Sequence, residues 1–393
     1  MSISKGLTEV LDASSWIRRM FEEGERLRAE RGAENVFDFS LGNPILEPPA
    51  RFREELRRLA NDPAPGMHRY MPNAGYPETR AAIATYYARE TGLSFAADDV
   101  LMTCGAAGGL NVVFKTILDP GDEVVVLSPY FVEYRFYVTN HGGRTVTVPT
   151  GPRFQLDAGR IAEAIGNRTK AVLVNSPNNP TGVVYPRADL AELGRVLVDA
   201  SRRIGHPIFL VSDEPYRRIA YDGIEVPYLF DLYPDTILVT SHSKDLGLAG
   251  ERIGMILASP RIPDRKTLVT GMIFANRTLG YVNAPALMQR IVARLQGESI
   301  DVAAYQAKRD RLLGALIEAG YDVVKPGGAF YLFPRSPIED DVRFVRLLVE
   351  EGILVVPGRG FGTPGYFRIS YAVADDVIER AIPGFRRGIE RAK

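Results

Sequence analysis

Residues 170–175 (KAVLVN), 207–212 (PIFLVS) and 236–241 (TILVTS) decide how this chain is read. Each is a short run of valine, isoleucine and leucine without polar alternation, and helical spacing fills the stretches between them. A strand that is apolar on both faces belongs in a parallel sheet covered by helices, whereas a half-exposed antiparallel strand alternates. Similar runs stand at 100–103 (VLMT), 123–127 (EVVVL) and 253–258 (IGMILA). The pattern predicts an α/β unit over residues 46–286, a mostly parallel sheet sandwiched by helices. Beyond it the pattern changes to long helical segments, then strands at 329–334 (AFYLFP), 353–356 (ILVV) and 367–370 (FRIS), then a closing helix from Asp375. A smaller α+β domain is therefore expected from residues 287–393 together with residues 1–45. In the latter part, Ile17, Met20, Phe21 and Leu27 mark an amphipathic helix over 14–31. A chain of 393 residues exceeds what one core usually holds, in keeping with two domains.

Composition narrows the function classes. The 48 basic and 48 acidic residues leave no net field for nucleic acid or an anionic membrane, so no nucleic-acid partner is expected. No apolar run approaches the ~20 residues of a membrane helix. Residues 1–16 (MSISKGLTEVLDASSW) lack the cationic and apolar regions of a secretory signal, and the cytoplasm is the expected location. Cys104 stands alone, and His68, His141, His206 and His242 are scattered without ligand spacing, so no metal site is expected.

Ligands in open α/β sheets gather at the carboxyl ends of strands. Here those ends run into NSPNNPTG (175–182), DEPY (213–216) and SHSK (241–244), which would bring a lysine, an aspartate, an asparagine and a tyrosine to one edge. GAAGG (105–109) follows the run at 100–103 and opens a helix, where small residues let backbone N–H groups reach an anion. A second glycine cluster, GRGFG (358–362), superficially suggests dinucleotide binding but leads into Thr363, Pro364 and Gly365 instead of a helix, and is set aside.

Residues 241–254 (SHSKDLGLAGERIG) match S-x-S-K-x-x-G-L-A-G-x-R-x-G, the lysine signature of the fold type I pyridoxal-phosphate enzymes. With NPTG and DEPY in order before it, the chain from Gly42 to Arg368 resembles the class I aminotransferases of the aspartate aminotransferase type. The resemblance implies a large domain with a seven-stranded-type sheet and pyridoxal 5'-phosphate as cofactor. It further implies that Lys244 carries the cofactor as a Schiff base, that Asp213 faces the ring nitrogen, and that Asn179 and Tyr216 face the 3' oxygen. A carboxylate beside that nitrogen keeps it protonated, which makes the ring an electron sink. Gly105, Ala106, Ala107, Ser241 and Arg252 would hold the phosphate. Phe131, with Tyr130 as its rival, would stack on the ring, and Tyr70 would reach the phosphate of a dimer partner. Gly42, Asn179 and Arg368 fall on substrate positions, Arg368 forking onto the α-carboxylate.

The activity so implied moves an amino group from an L-amino acid to a 2-oxo acid by ping-pong kinetics, with Lys244 as anchor and proton shuttle. Aspartate with 2-oxoglutarate is the expected pair if Arg277, donated across a homodimer, reads a distal carboxylate. Arg277 precedes Asn283, Ala284 and Pro285, but its spacing differs from the family pattern by about one residue. Aromatic or neutral donors stay open, because Phe330 and Tyr331 could line an apolar pocket. So does a carbon–sulfur lyase of the same fold type. A cofactor-binding regulator of DNA would carry a basic domain for which residues 1–45 are too short.

Overall fold

The alternation of buried strands and amphipathic helices is carried through in the computed structural model, which describes residues 3, 4, 16–62 and 65–392. Strand β1 is Phe37–Asp38; β2 Val100–Thr103, β3 Glu123–Ser128, β4 Arg144–Pro149, β5 Thr169–Asn175, β6 Phe209–Asp213, β7 Thr236–Ser241 and β8 Gly254–Ala258 follow. The last seven form one sheet in the order β2-β8-β7-β6-β5-β3-β4. From β4 through β7 all pairings are parallel. Successive residues pack to opposite faces: Val124, Val126, Ala171 and Leu173 meet the helices Gly105–Ile117 and Arg265–Thr278. Val125, Leu127, Val172 and Val174 meet Ala158–Ala164 and Arg187–Ile204. Each buried valine or leucine is worth about 1.5–3 kcal/mol, which is why both faces must stay apolar.

Three details differ from the sequence expectation. The run at 253–258, grouped with the parallel strands, is antiparallel to both neighbours. Between β7 and β8 lie only a single-turn helix, His242–Asp245, and a 3₁₀ turn, so the chain folds back at the same edge instead of crossing the sheet. Strand β8 consequently begins where its neighbours end. The strand expected at 329–334 shrinks to β9, Tyr331–Leu332; before it, Ala329 takes a left-handed φ of 56°, outside the strand region. The edge strand β4 was not foreseen; all but one of its residues are exposed or part-exposed, and polar threonines alternate through it.

Strands β10 (Ile353–Leu354), β11 (Val356–Pro357) and β12 (Phe367–Ser370) complete the set. Strand β1 pairs in parallel with β10, and β11-β12-β9 form an antiparallel sheet. The helix Trp16–Arg31 seats Leu27 against Val36 and Leu354; Ser14 and Ser15 of the predicted helix lie outside the described residues. The set-aside glycine cluster forms a 3₁₀ turn, Gly358–Phe361. No helix among the described residues is long and apolar enough to cross a membrane.

Candidate active site

Strand register builds one edge of a half-open cavity. Asn175 is paired with Asp213 across β5 and β6, and Asn175 Nδ2 donates to the Asp213 main-chain oxygen at 2.9 Å. Asn175 Oδ1 accepts from the Asn179 N–H at 2.7 Å, which ties the NPTG turn to the same strand end. The consecutive carboxylates Asp213 and Glu214 point opposite ways, as successive strand residues do. Glu214 is satisfied by Ser212 and by the part-buried Arg217. Asp213 faces the cavity, with Oδ2 accepting from Tyr134 Oη at 2.5 Å and Oδ1 buried without a partner. Burial pushes this carboxyl up to about 7, with Tyr134 pulling down and the Glu214 charge adding to the rise.

Lys244 stands on the single-turn helix after β7 and lines the same cavity as Asp213, of about 260 Å³. Its Nζ donates to Gly42 O at 2.5 Å and lies 5.5 Å from the Phe330 ring centre. Burial, then the Arg368 and Arg252 charges, push the ammonium down to about 8. About a tenth of the amine is therefore neutral at pH 7, several hundred times more than at the ordinary lysine value, and neutrality is what a nucleophile requires. Gly42 must be glycine, since a Cβ there would stand 2.1 Å from Tyr331 Oη.

The cavity's other end suits an anion. Gly105, at φ +71°, starts the helix Gly105–Ile117, and a Cβ on it would approach Arg252 Nη2 to 3.1 Å. Ala106, Ala107, Ser241, Ser243 and Arg252 line the wall beside that helix start. Because β8 is antiparallel, Ser241 pairs with Gly254, which brings Arg252 back to the lysine.

Arg368, on β12, is fully buried between the Tyr331 and Phe361 rings, each 4.7 Å from its Cζ. Nη1 donates to Asn179 Oδ1 at 3.1 Å and Nη2 to Ser40 O at 2.6 Å, while Nε has no partner. With its oxygen accepting from Arg368, Asn179, which lines the cavity, has its amide N–H groups left to donate. Tyr216 Oη meets Tyr331 Oη at 2.9 Å.

Lys244, Asp213, Tyr216, Asn179, Arg252, Ser241, Ala106, Ala107, Phe131, Gly42 and Arg368 thus converge, and Gly105 packs against Arg252. Phe131 lines the cavity, whereas Tyr130 packs beside Gly362. Tyr70, 89 % exposed, and the exposed Arg277, whose guanidinium lies 5.2 Å from the Phe274 ring, are not brought into the cavity of their own chain. Sequence reasoning missed Tyr134, Tyr137, Ser243 and the bridging role of Asn175. Ser243 and Asn175 lie inside motifs already singled out, but no local signal marks the tyrosines. Among the described residues no group of metal-capable side chains assembles.

Residues 34–385 match the family model for aminotransferase class I and II. The chain belongs to that family. This aminotransferase is 36 % identical over 399 aligned positions to an aspartate/prephenate aminotransferase of Thermus thermophilus, covering 99 % of this chain and 100 % of the relative. Its fold is similar to that of an amino transferase from Eubacterium rectale, with TM-score 0.96, 39 % identity and 100 % of both chains covered. It is also similar to the aspartate aminotransferase from Thermus thermophilus solved with maleate, with TM-score 0.86, 32 % identity and 99 % and 100 % covered. The residues present fit pyridoxal phosphate: the orphaned Asp213 Oδ1 suits a protonated ring nitrogen, Lys244 an aldehyde, and the Gly105 helix start with Arg252 a phosphate.

Proposed function

We propose that this aminotransferase works on pyridoxal 5'-phosphate, with L-aspartate as amino donor and 2-oxoglutarate as acceptor, as a cytoplasmic homodimer with shared sites. The observation that carries the cofactor reading is one half-open cavity lined both by the Lys244 amine, pushed down to about 8, and by Asp213, whose Oδ1 has no partner. When bound, pyridoxal phosphate supplies the aldehyde for the substrate amine and a ring that takes up the electron pair left by the Cα proton. Asp213 Oδ1 holds the charge of the ring nitrogen, Asn179 Nδ2 and Tyr216 Oη donate to the 3' oxygen, and Phe131 covers the ring face. Arg252, Ser241 and the amides of Gly105, Ala106 and Ala107 hold the phosphate. The free Nε of Arg368 and its Nη2 edge receive the α-carboxylate in a fork. Lys244 Nζ, released from Gly42 O, moves the Cα proton. In this reading residues 46–286 form the cofactor-binding unit and residues 1–45 and 287–393 the smaller one. A single cysteine fits a compartment where disulfides do not form.

Relatives named for aspartate support the donor, and one of them was solved with the dicarboxylate maleate. Among the described residues of one chain, the cations lining the cavity are Lys244, Arg252 and Arg368, each of which already has a role in this proposal. A distal carboxylate then needs a cation from a second copy, which is the task proposed for Arg277, and Tyr70 would reach the partner's phosphate. Their exposure, and that of Phe274 at 58 %, supports a dimer face. The Tyr331 ring, which lines the same cavity beside Arg368, favours a second reading, a neutral or aromatic donor. A panel of aspartate, alanine and phenylalanine with 2-oxoglutarate decides. Arg277→Ala is expected to cut kcat/KM for aspartate by about 2–5 kcal/mol and to spare alanine. An unchanged aspartate-to-alanine ratio defeats the dicarboxylate assignment, and no transamination with any donor defeats the function.

A further inference from the structure

The two oxygens of Asp213 are held differently. Oδ1 is buried and has no partner, whereas Oδ2 accepts from Tyr134 Oη at 2.5 Å. Tyr134 opens the helix Tyr134–Thr139 and is itself buried. Its ring stands edge-on to Phe131, with centroids 5.6 Å apart and planes at 85°. One side chain therefore braces both groups that flank the space for a flat ring, Asp213 at the edge and Phe131 at the face. The neighbouring Glu214 is engaged by Ser212 and Arg217, Tyr216 by Tyr331, and Asn175 Nδ2 bonds the main-chain oxygen of Asp213, not its carboxylate. The carboxylate thus takes its proton donor from Tyr134.

Anchoring one oxygen stops the carboxylate turning about its last torsion and so aims the other. An O–H donated to a carboxylate at this distance is charge-assisted, and it makes that carboxylate a weaker base. Between a weaker carboxylate base and a pyridine nitrogen, a shared proton rests on the nitrogen. We propose that Tyr134 is a positioning residue that aims Asp213 Oδ1 at the cofactor's ring nitrogen and keeps the proton on that nitrogen, which rests on the reading that this cavity takes pyridoxal phosphate. The same bond opposes the upward push that burial gives the Asp213 carboxyl.

The test uses the full-length protein loaded with pyridoxal phosphate carrying ¹⁵N in the ring, read by NMR, together with the dissociation constant from equilibrium dialysis. Wild type is expected to show a protonated ring nitrogen. Tyr134→Phe, isosteric but without the donor, is expected to move the signal toward neutral pyridine and to weaken cofactor binding by about tenfold to a hundredfold. Tyr134→His, which keeps a ring N–H, is expected to restore much of the wild-type signal. Phe131→Leu leaves the Tyr134 donor in place, so it should weaken binding without moving the nitrogen signal. A Tyr134→Phe protein with the wild-type signal and affinity overturns the inference, as does a Phe131→Leu protein with the same nitrogen shift as Tyr134→Phe. Wild-type protein that takes up no pyridoxal phosphate defeats the functional reading itself, a result distinct from a variant that matches a loaded wild type.

Discussion

Asp213→Asn exposes the tension between stability and function in this cavity. In the cofactor-free protein the carboxyl titrates at about 7 instead of its ordinary 3.8, mainly because it is buried. At about 1.4 kcal/mol per pH unit, the ionised group destabilises the fold by roughly 4 kcal/mol once the pH exceeds both values. The folded state binds the proton more tightly than the unfolded one, so this destabilisation is absent below 3.8 and complete above about 7. Asparagine has the same shape and no charge. The cofactor-free variant should therefore be more stable than wild type, by about 1–2 kcal/mol near pH 5 and about 4 kcal/mol near pH 8. Urea unfolding of both proteins at the two pH values, at one protein concentration, gives the difference directly, with equal m-values as the control. With pyridoxal phosphate bound the order should reverse, since wild type gains the ion pair with the ring nitrogen. A stability gap that does not widen with pH, or a variant less stable than wild type at pH 8, refutes the argument that Asp213 is held charged against the preference of the fold.

Lys244 reacts only when neutral, and its ammonium is pushed down to about 8, so cofactor uptake should rise with pH and level off above that value. Stopped-flow absorbance of the cofactor-free protein measures it, and a midpoint near the ordinary lysine value would contradict the burial seen here. Gly42→Ala sets a Cβ against the Tyr331 hydroxyl and should cost about 1–3 kcal/mol of stability. Tyr331→Phe leaves 3.1 Å to the nearest ring carbon and should recover most of that loss; additive losses in a double-mutant cycle would place the clash elsewhere.

Much of this protein can be read along the chain because its strands are buried on both faces and end in short polar motifs. A continuous apolar run such as 170–175 or 236–241 must sit inside a covered sheet, and the residues after it must then stand at the sheet edge. Lys244, Asp213 and Asn179 are legible for that reason: each lies within a few residues of a strand end. The antiparallel direction of β8 is not legible, because an apolar strand buried on both faces looks the same in either direction. Its direction follows from the chain folding back after β7, and it is what carries Arg252 to the lysine.

The pairings that tune the cavity belong to the tertiary structure alone. Tyr134 meets Asp213 across 79 residues of chain, Tyr331 meets Tyr216 across 115, and Gly42 receives Lys244 across 202. Hydrophobic periodicity records which face of an element is covered, but not which distant element covers it. A tyrosine on a buried face therefore reads as core until the fold brings its hydroxyl to a carboxylate. The covered sheet and the polar residues at its edge can be read from the chain alone, since burial pattern and strand geometry act locally. Which oxygen of Asp213 is anchored, which nitrogen of Arg368 is left without a partner, and how far Lys244 is pushed toward its neutral form depend on distant residues that only the packed chain brings beside them.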